Sequence, residues 1–140
     1  MLQMEHCSRV LKPQKHMLIY VALATELLTS QDAETMLQPT GVVAANMNED
    51  HLENMFREAG FQIDTKDVIA TEWREYWEES NDRVTADEML MLARLRRSKD
   101  EFVRDYGSEV YTITQSFLLW GTYQMIGKLQ PTMYVLKNSK

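Results

Sequence analysis

The densest run of chemistry-bearing side chains is Glu72-Trp73-Arg74-Glu75-Tyr76-Trp77-Glu78-Glu79. Indoles and a phenol beside carboxylates and one guanidinium suit a pocket for a polar, partly apolar small molecule. Burial that raised the pKa of Glu72 or Glu75 would make either a general base. The plainer reading of the same residues is an amphipathic helical turn. In it, Trp73 and Trp77 pack at i,i+4 into the core and the acids are solvated. That reading carries more weight.

Thr25 and Glu26 follow a long apolar run and would lie just beyond the carboxyl end of a strand, where open α/β sheets bind ligands. Thr25 as a plain loop start is an equal alternative. His6, His16, His51 and Cys7 are the nitrogen and sulfur candidates for a transition metal, and none has paired ligand spacing, so no metal site is expected. Cys7 reads as an inert, partly buried thiol, and no serine lies in a Gly-x-Ser-x-Gly setting. Arg94, Arg96, Arg97 and Lys99 make a local basic patch. With Asp100, Glu101 and Asp105 beside it, the expectation is a salt-bridged helix face. No two of the 5 glycines form Gly-x-Gly, so neither standard glycine-rich phosphate loop is present.

The elements that must position these residues follow from spacing and caps. Met1 to Leu11 has helical spacing (Leu2, Met4 or His6, Val10) and runs into Lys12-Pro13, which stops a helix. Met17 to Leu23 is a nearly continuous apolar run that reads as a strand buried on both faces. Ser30 can cap a short helix over Gln31 to Leu37, closed by Pro39 and Gly41. Asn48 caps a helix whose apolar face is Leu52, Met55, Phe56 and Ala59, with Gly60 at its end. A strand follows over Phe61 to Ile69, its polar centre leaving the bounds open. Thr85 and Glu88 have capping-box spacing, predicting one helix from Ala86 to Tyr106, ended by Gly107. Ser108 to Ile126 reads as another, with Val110, Ile113, Phe117, Trp120 and Tyr123 or Gln124 along one side, and Gly127 closing it. Thr132 to Leu136 reads as a last strand.

Composition bounds the function classes. The chain has 140 residues, enough for one domain. A net charge of −6 argues against a nucleic-acid footprint. No apolar run approaches the ~20 residues that span a bilayer, and no signal-peptide layout opens the chain. With a lone cysteine as well, the cytoplasm is the expected compartment.

Three passages carry a family resemblance. Arg9-Val10-Leu11-Lys12-Pro13 before the apolar strand resembles the passage that joins the fourth crossover helix to the fifth strand in class I S-adenosylmethionine-dependent methyltransferases. Asp50 to Phe61, ending Ala59-Gly60-Phe61, is similar to that family's next helix and the start of its sixth strand. Trp120 to Pro131, then Tyr134-Val135-Leu136, is similar to the approach to its closing antiparallel strand in one branch of small-molecule methyltransferases. Gln14-Lys15 replaces the family's usual glycine pair. The resemblance covers the C-terminal half only, without the half that carries the cofactor loop.

The resemblance implies an α/β, partial Rossmann-like fold: a small three-stranded mixed sheet, with strands near 17–23, 61–69 and 132–136, packed by several helices. The last strand would lie between the other two and run antiparallel. It implies S-adenosylmethionine as cofactor, with no cofactor-binding residue carried over, and in-line methyl transfer to a small-molecule acceptor. The positions on the substrate side are Thr25, Glu26, Glu72, Trp73, Arg74 and Tyr76. The expectation is a truncated or partial domain, 1–140, without independent activity. The alternatives are a non-catalytic dimeric interaction or regulatory module, and a small ligand-binding protein with an aromatic pocket near Trp73, Trp77 and Trp120. The edge of strand 17–23 should be covered by a second copy of the chain or another partner.

Overall fold

The computed structural model describes residues 2–139, and side chains from residue 4 onward. In chain order the elements are α1 (Leu2–Val10), β1 (His16–Ala24), α2 (Ser30–Leu37), α3 (Glu49–Glu58), β2 (Phe61–Val68), α4 (Glu72–Glu79), α5 (Val84–Arg97), α6 (Lys99–Tyr106), α7 (Ser108–Met125) and β3 (Leu129–Asn138). Short 3-10 turns, Gln38–Thr40 and Ala44–Met47, join α2 to α3. The expected helix start at Met1 and the side chain of Leu2 lie outside what is described.

The strand order is β1-β3-β2 and both ladders are antiparallel, with β3 in the centre as the resemblance implies. β1 and β2 therefore run parallel without touching, and their carboxyl ends share one edge of the sheet. Pro131 lies within this central strand. Its carbonyl accepts the N–H groups of Ile69 and Ala70 at 3.0 and 3.1 Å. The missing N–H points the same way, where β2 has already ended, so no ladder bond is lost. The ladder pairs residues well outside Thr132–Leu136, which is why the strand exceeds that stretch.

Two cores flank the sheet. On one face Leu23, Phe56, Phe61, Tyr134 and Leu136 are buried, with Met4, Cys7, Met17, Ile19 and Val21 packed against them from α1 and β1. At the carboxyl end of the other face, Met36, Leu92, Leu119 and Leu129 form a second core between α2, α5, α7 and β3. The reading of β1 as buried on both faces is corrected here. Leu18 and Tyr20 remain 64% and 48% exposed, because α1 and α3 cover one face only and the second core reaches only as far as Ala22. The polar centre of β2 is explained by Lys66. It reaches across Tyr134 to Glu49 and Glu53 on α3, and those carboxylates outweigh its burial and hold its pKa above the ordinary lysine value.

Four further local expectations change. Thr29, not Ser30, caps α2, in a capping box with Asp32. The helix expected over Ala86 to Tyr106 is two, broken at Ser98, which ends α5 and begins α6. The break folds α6 back over α7, bringing Phe102 to 6.2 Å from Tyr111 between ring centres. On α7 the buried residues are Tyr111, Ser116, Leu119, Gly121 and Gln124, while Val110 and Phe117 are exposed. Small residues decide that face: Ser116 donates to the Met36 carbonyl, an approach a larger side chain would block. Finally, Arg94, Arg96 and Arg97 make no ion pair among the described residues, whereas Arg104 pairs with Asp105. Arg94 has Leu90 and Ser98 at i−4 and i+4, so no carboxylate lies within helical reach.

Candidate functional site

The carboxyl ends of β1 and β2 share one end of the sheet, the end at which open α/β sheets bind ligands. β2 turns into α4 through Ile69-Ala70-Thr71, both of whose first N–H groups are tied to Pro131. Ala70 takes φ +51°, a tight left-handed turn that swings α4 over the sheet end. α4 then sets Trp73 edge-on to Tyr20 of β1 at 6.0 Å and against Trp77 at 4.3 Å between ring centres. Burial raises the Tyr20 pKa, opposed by the Arg74 charge. The indole N–H of Trp73 is buried without a hydrogen-bond partner.

Arg74, on the next helical position, is buried. Its guanidinium lies 4.9 Å from the Trp73 ring centre and 5.8 Å from that of Trp77, a cation–π arrangement. Nη1 pairs with Glu88 Oε2 at 2.8 Å and reaches Thr85 Oγ1 at 3.3 Å, while Nε donates to Gln124 Oε1 at 3.1 Å. The pair rests on α7 at Gly121. A Cβ there would sit 1.6 Å from Glu88 Oε2 and 2.6 Å from Arg74 Nη1, so only glycine admits it. Thr85 and Glu88 thus share this site and not a capping box: Thr85 is inside α5, and its N–H donates to Glu78 Oε1 at 2.6 Å.

Thr25 is fully engaged. Its hydroxyl donates to the Gly127 carbonyl at 2.7 Å and accepts the Leu27 N–H at 3.2 Å, which ties the end of β1 to the α7–β3 turn. Beside it, Asp32 at the start of α2 accepts from Lys128, from Thr29, and from the Tyr123 hydroxyl at 2.7 Å. Lys128 foremost, then Thr29 and Tyr123, holds the Asp32 pKa well below the carboxylate range. Burial and that same carboxylate push the Tyr123 hydroxyl up to about 12.

The structure therefore brings Trp73 and Arg74 together with Tyr20. It leaves Glu26, Glu72 and Tyr76 facing solvent and commits Thr25 to the fold. Tyr20, Glu88, Gly121 and Gln124 were not legible as site residues. Tyr20 was hidden in an apolar run, and Thr85 with Glu88 mimicked a helix cap. Among the described residues no cluster of three or more His, Cys, Asp or Glu could hold a metal ion.

Beyond this pair opens a groove of about 600 Å³ between α5 and α7, walled by Val42, Met91, Phe117, Leu118 and Trp120, with Arg74 and Glu88 at one end.

No protein-family model and no curated protein sequence matches the chain. Solved structures do. A candidate sarcosine dimethylglycine methyltransferase from Galdieria sulphuraria superposes with a TM-score of 0.58 over 98% of this chain and 47% of its own, at 16% identity. The cyclopropane synthase MmaA2 from Mycobacterium tuberculosis gives 0.50 over 96% and 48%, at 13% identity. A Haemonchus contortus phosphoethanolamine N-methyltransferase 2, solved with phosphomonomethylethanolamine and S-adenosylhomocysteine, gives 0.51 over 96% and 29%, at 14% identity. The chain thus spans about half, or less, of the structures it resembles. It has the fold of part of an S-adenosylmethionine-dependent methyltransferase.

Proposed function

We propose that this chain is the substrate-facing part of a methyltransferase that acts on a small molecule, and that it does not bind S-adenosylmethionine by itself. The observation that carries the reading is the fold likeness over nearly the whole chain, together with the antiparallel β3 between β1 and β2. The described residues do not fit the cofactor. No strand among the described residues is followed by a glycine-rich turn, the Thr25 hydroxyl is spent on the Gly127 carbonyl, and Asp32 already occupies the positive end of α2. A cradle supplied by other polypeptide is required.

What this chain contributes is positioning and exclusion of water, which account for much of the rate in methyl transfer between two bound molecules. Tyr20 and Trp73 offer an apolar wall on the bare face of the sheet. Arg74 holds Trp73 from behind and acts as a positioning residue. Glu26, Glu72 and Tyr76 are free to meet a polar acceptor. The cytoplasm remains our reading of its setting. No helix among the described residues is long and apolar enough to cross a membrane.

Calorimetry of the chain with S-adenosylmethionine and with S-adenosylhomocysteine tests this. The expected result is no binding tighter than millimolar to either; micromolar affinity would overturn the missing cradle. A second reading, a non-catalytic dimeric module, is favoured by one observation: β1 is an edge strand that exposes Leu18 and Tyr20.

A further inference from the structure

We infer that the furrow between α5 and α7 binds a free, single-chain fatty acid, its carboxylate at Arg94 and its tail toward Trp120. The inference does not rest on the methyl-transfer reading, although the furrow ends at the Arg74–Glu88 pair. The 600 Å³ groove continues into a second hollow of about 360 Å³, because Met91 and Leu118 wall both. Phe117 and Met91 stay 65% and 49% exposed over this seam. The furrow follows α5 from Glu88 to Ser98, about 15 Å at the helical rise, roughly the length of a ten- to twelve-carbon chain.

Charge decides the occupant. α5 and α7 pack directly on each other, and the seam between them is walled mainly by apolar side chains, Met91, Leu95, Phe117, Leu118 and Trp120. The two ends differ. At the Trp120 end Arg74 is already neutralised by Glu88. At the other end Arg94 and Ser98 wall the hollow, and Arg94 has no carboxylate partner among the described residues. Around Ser98 lie Arg96, Arg97 and Lys99 against Asp100 and Glu101, so the rim is net cationic. An apolar furrow with its unpaired cation at one end matches an amphiphile with an anionic head.

The test uses the full chain with dodecanoate below its micelle-forming concentration, followed by calorimetry. The expected result is one molecule bound per chain in the micromolar range. Arg94→Gln should weaken dodecanoate about fivefold and leave uncharged dodecanol unchanged. Phe117→Asp, at a solvent-facing site, should abolish binding of both while circular dichroism stays native. Dodecanoate brominated at its tail end should quench Trp120 fluorescence, and the Trp120→Phe variant should lose that quench. Bromine beside the carboxylate should not quench. Equal affinity for dodecanoate and dodecanol, equal quenching from both bromine positions, or binding that survives Phe117→Asp would overturn the inference. So would no binding of the monomeric acid, whether accompanied by a Phe117-dependent dimer or by binding to anionic vesicles only.

Discussion

At Gly121 a single hydrogen in place of a methyl group decides whether a charged pair can be buried. The Arg74–Glu88 pair has side-chain exposures of 6% and 22%, and it leans on the α7 backbone where any Cβ would overlap it. Gly121→Ala should therefore cost about 1–3 kcal/mol, since the Glu88 carboxylate must swing aside on the largely buried Arg74 guanidinium or α7 must shift. The midpoint of urea unfolding measures it. Arg74→Ala, which strands Glu88, should cost a similar amount, whereas Arg74→Met combined with Glu88→Leu should recover most of the loss. Gln14 is the opposite case. It holds φ +60° at the position where the resembling family carries glycine, so the backbone conformation persists without the residue that favours it. Gln14→Gly should raise stability by roughly 0.5–1 kcal/mol, the relief of a left-handed strain less the added freedom of the unfolded chain.

At the scale of elements, α2 is tied to the α7–β3 turn through one carboxylate. Asp32 closes the α2 capping box and also takes Lys128 and Tyr123. Its pKa is lowered in the fold, so its contribution is fully present above the ordinary carboxylate value and is lost as pH falls toward the lower folded one. Asp32→Asn should thus be markedly less stable than the parent near about pH 6, and the gap should begin to narrow below about pH 4 and go on narrowing as the pH falls toward the lowered folded value. Urea midpoints across that range report the gap; a gap that stays constant would show the tie to be something other than ionic. Tyr123, held at about 12, remains a donor throughout. The α5–α6 break belongs to this scale too. Local spacing favoured one long helix, and the packing of Phe102 on Tyr111 is gained only by turning at Ser98.

For the whole molecule, the governing feature is a sheet with one face covered, the other covered only near its carboxyl end, and β1 at an edge. β1 pairs with β3 on one side and nothing on the other among the described residues, while Leu18 and Tyr20 stand out from its bare face. Such an edge recruits another strand or a second copy. Light scattering is expected to show self-association, and Tyr20→Lys to reduce it by placing an unpaired charge on the bare face. A parent chain that stays monomeric at high concentration would count against the dimeric reading. The solved structures that share this fold are longer, the chain spanning 47%, 48% and 29% of them.

The sequence by itself determined the element order, the three strands, the Asn48 cap and Gly60 stop of α3, and, through motif resemblance, the antiparallel central strand. Those are encoded locally, in periodicity, caps and glycine positions. Only the tertiary structure decided which side of α7 is buried, that Leu18 and Tyr20 are bare, and that Arg74 is buried while Tyr76 is not. Each depends on contacts between residues far apart in the chain, such as Arg74 with Gln124 or Ser116 with Met36. Local spacing carries no record of which distant surface arrives, and a threonine and glutamate three apart serve a helix cap or a buried arginine equally well.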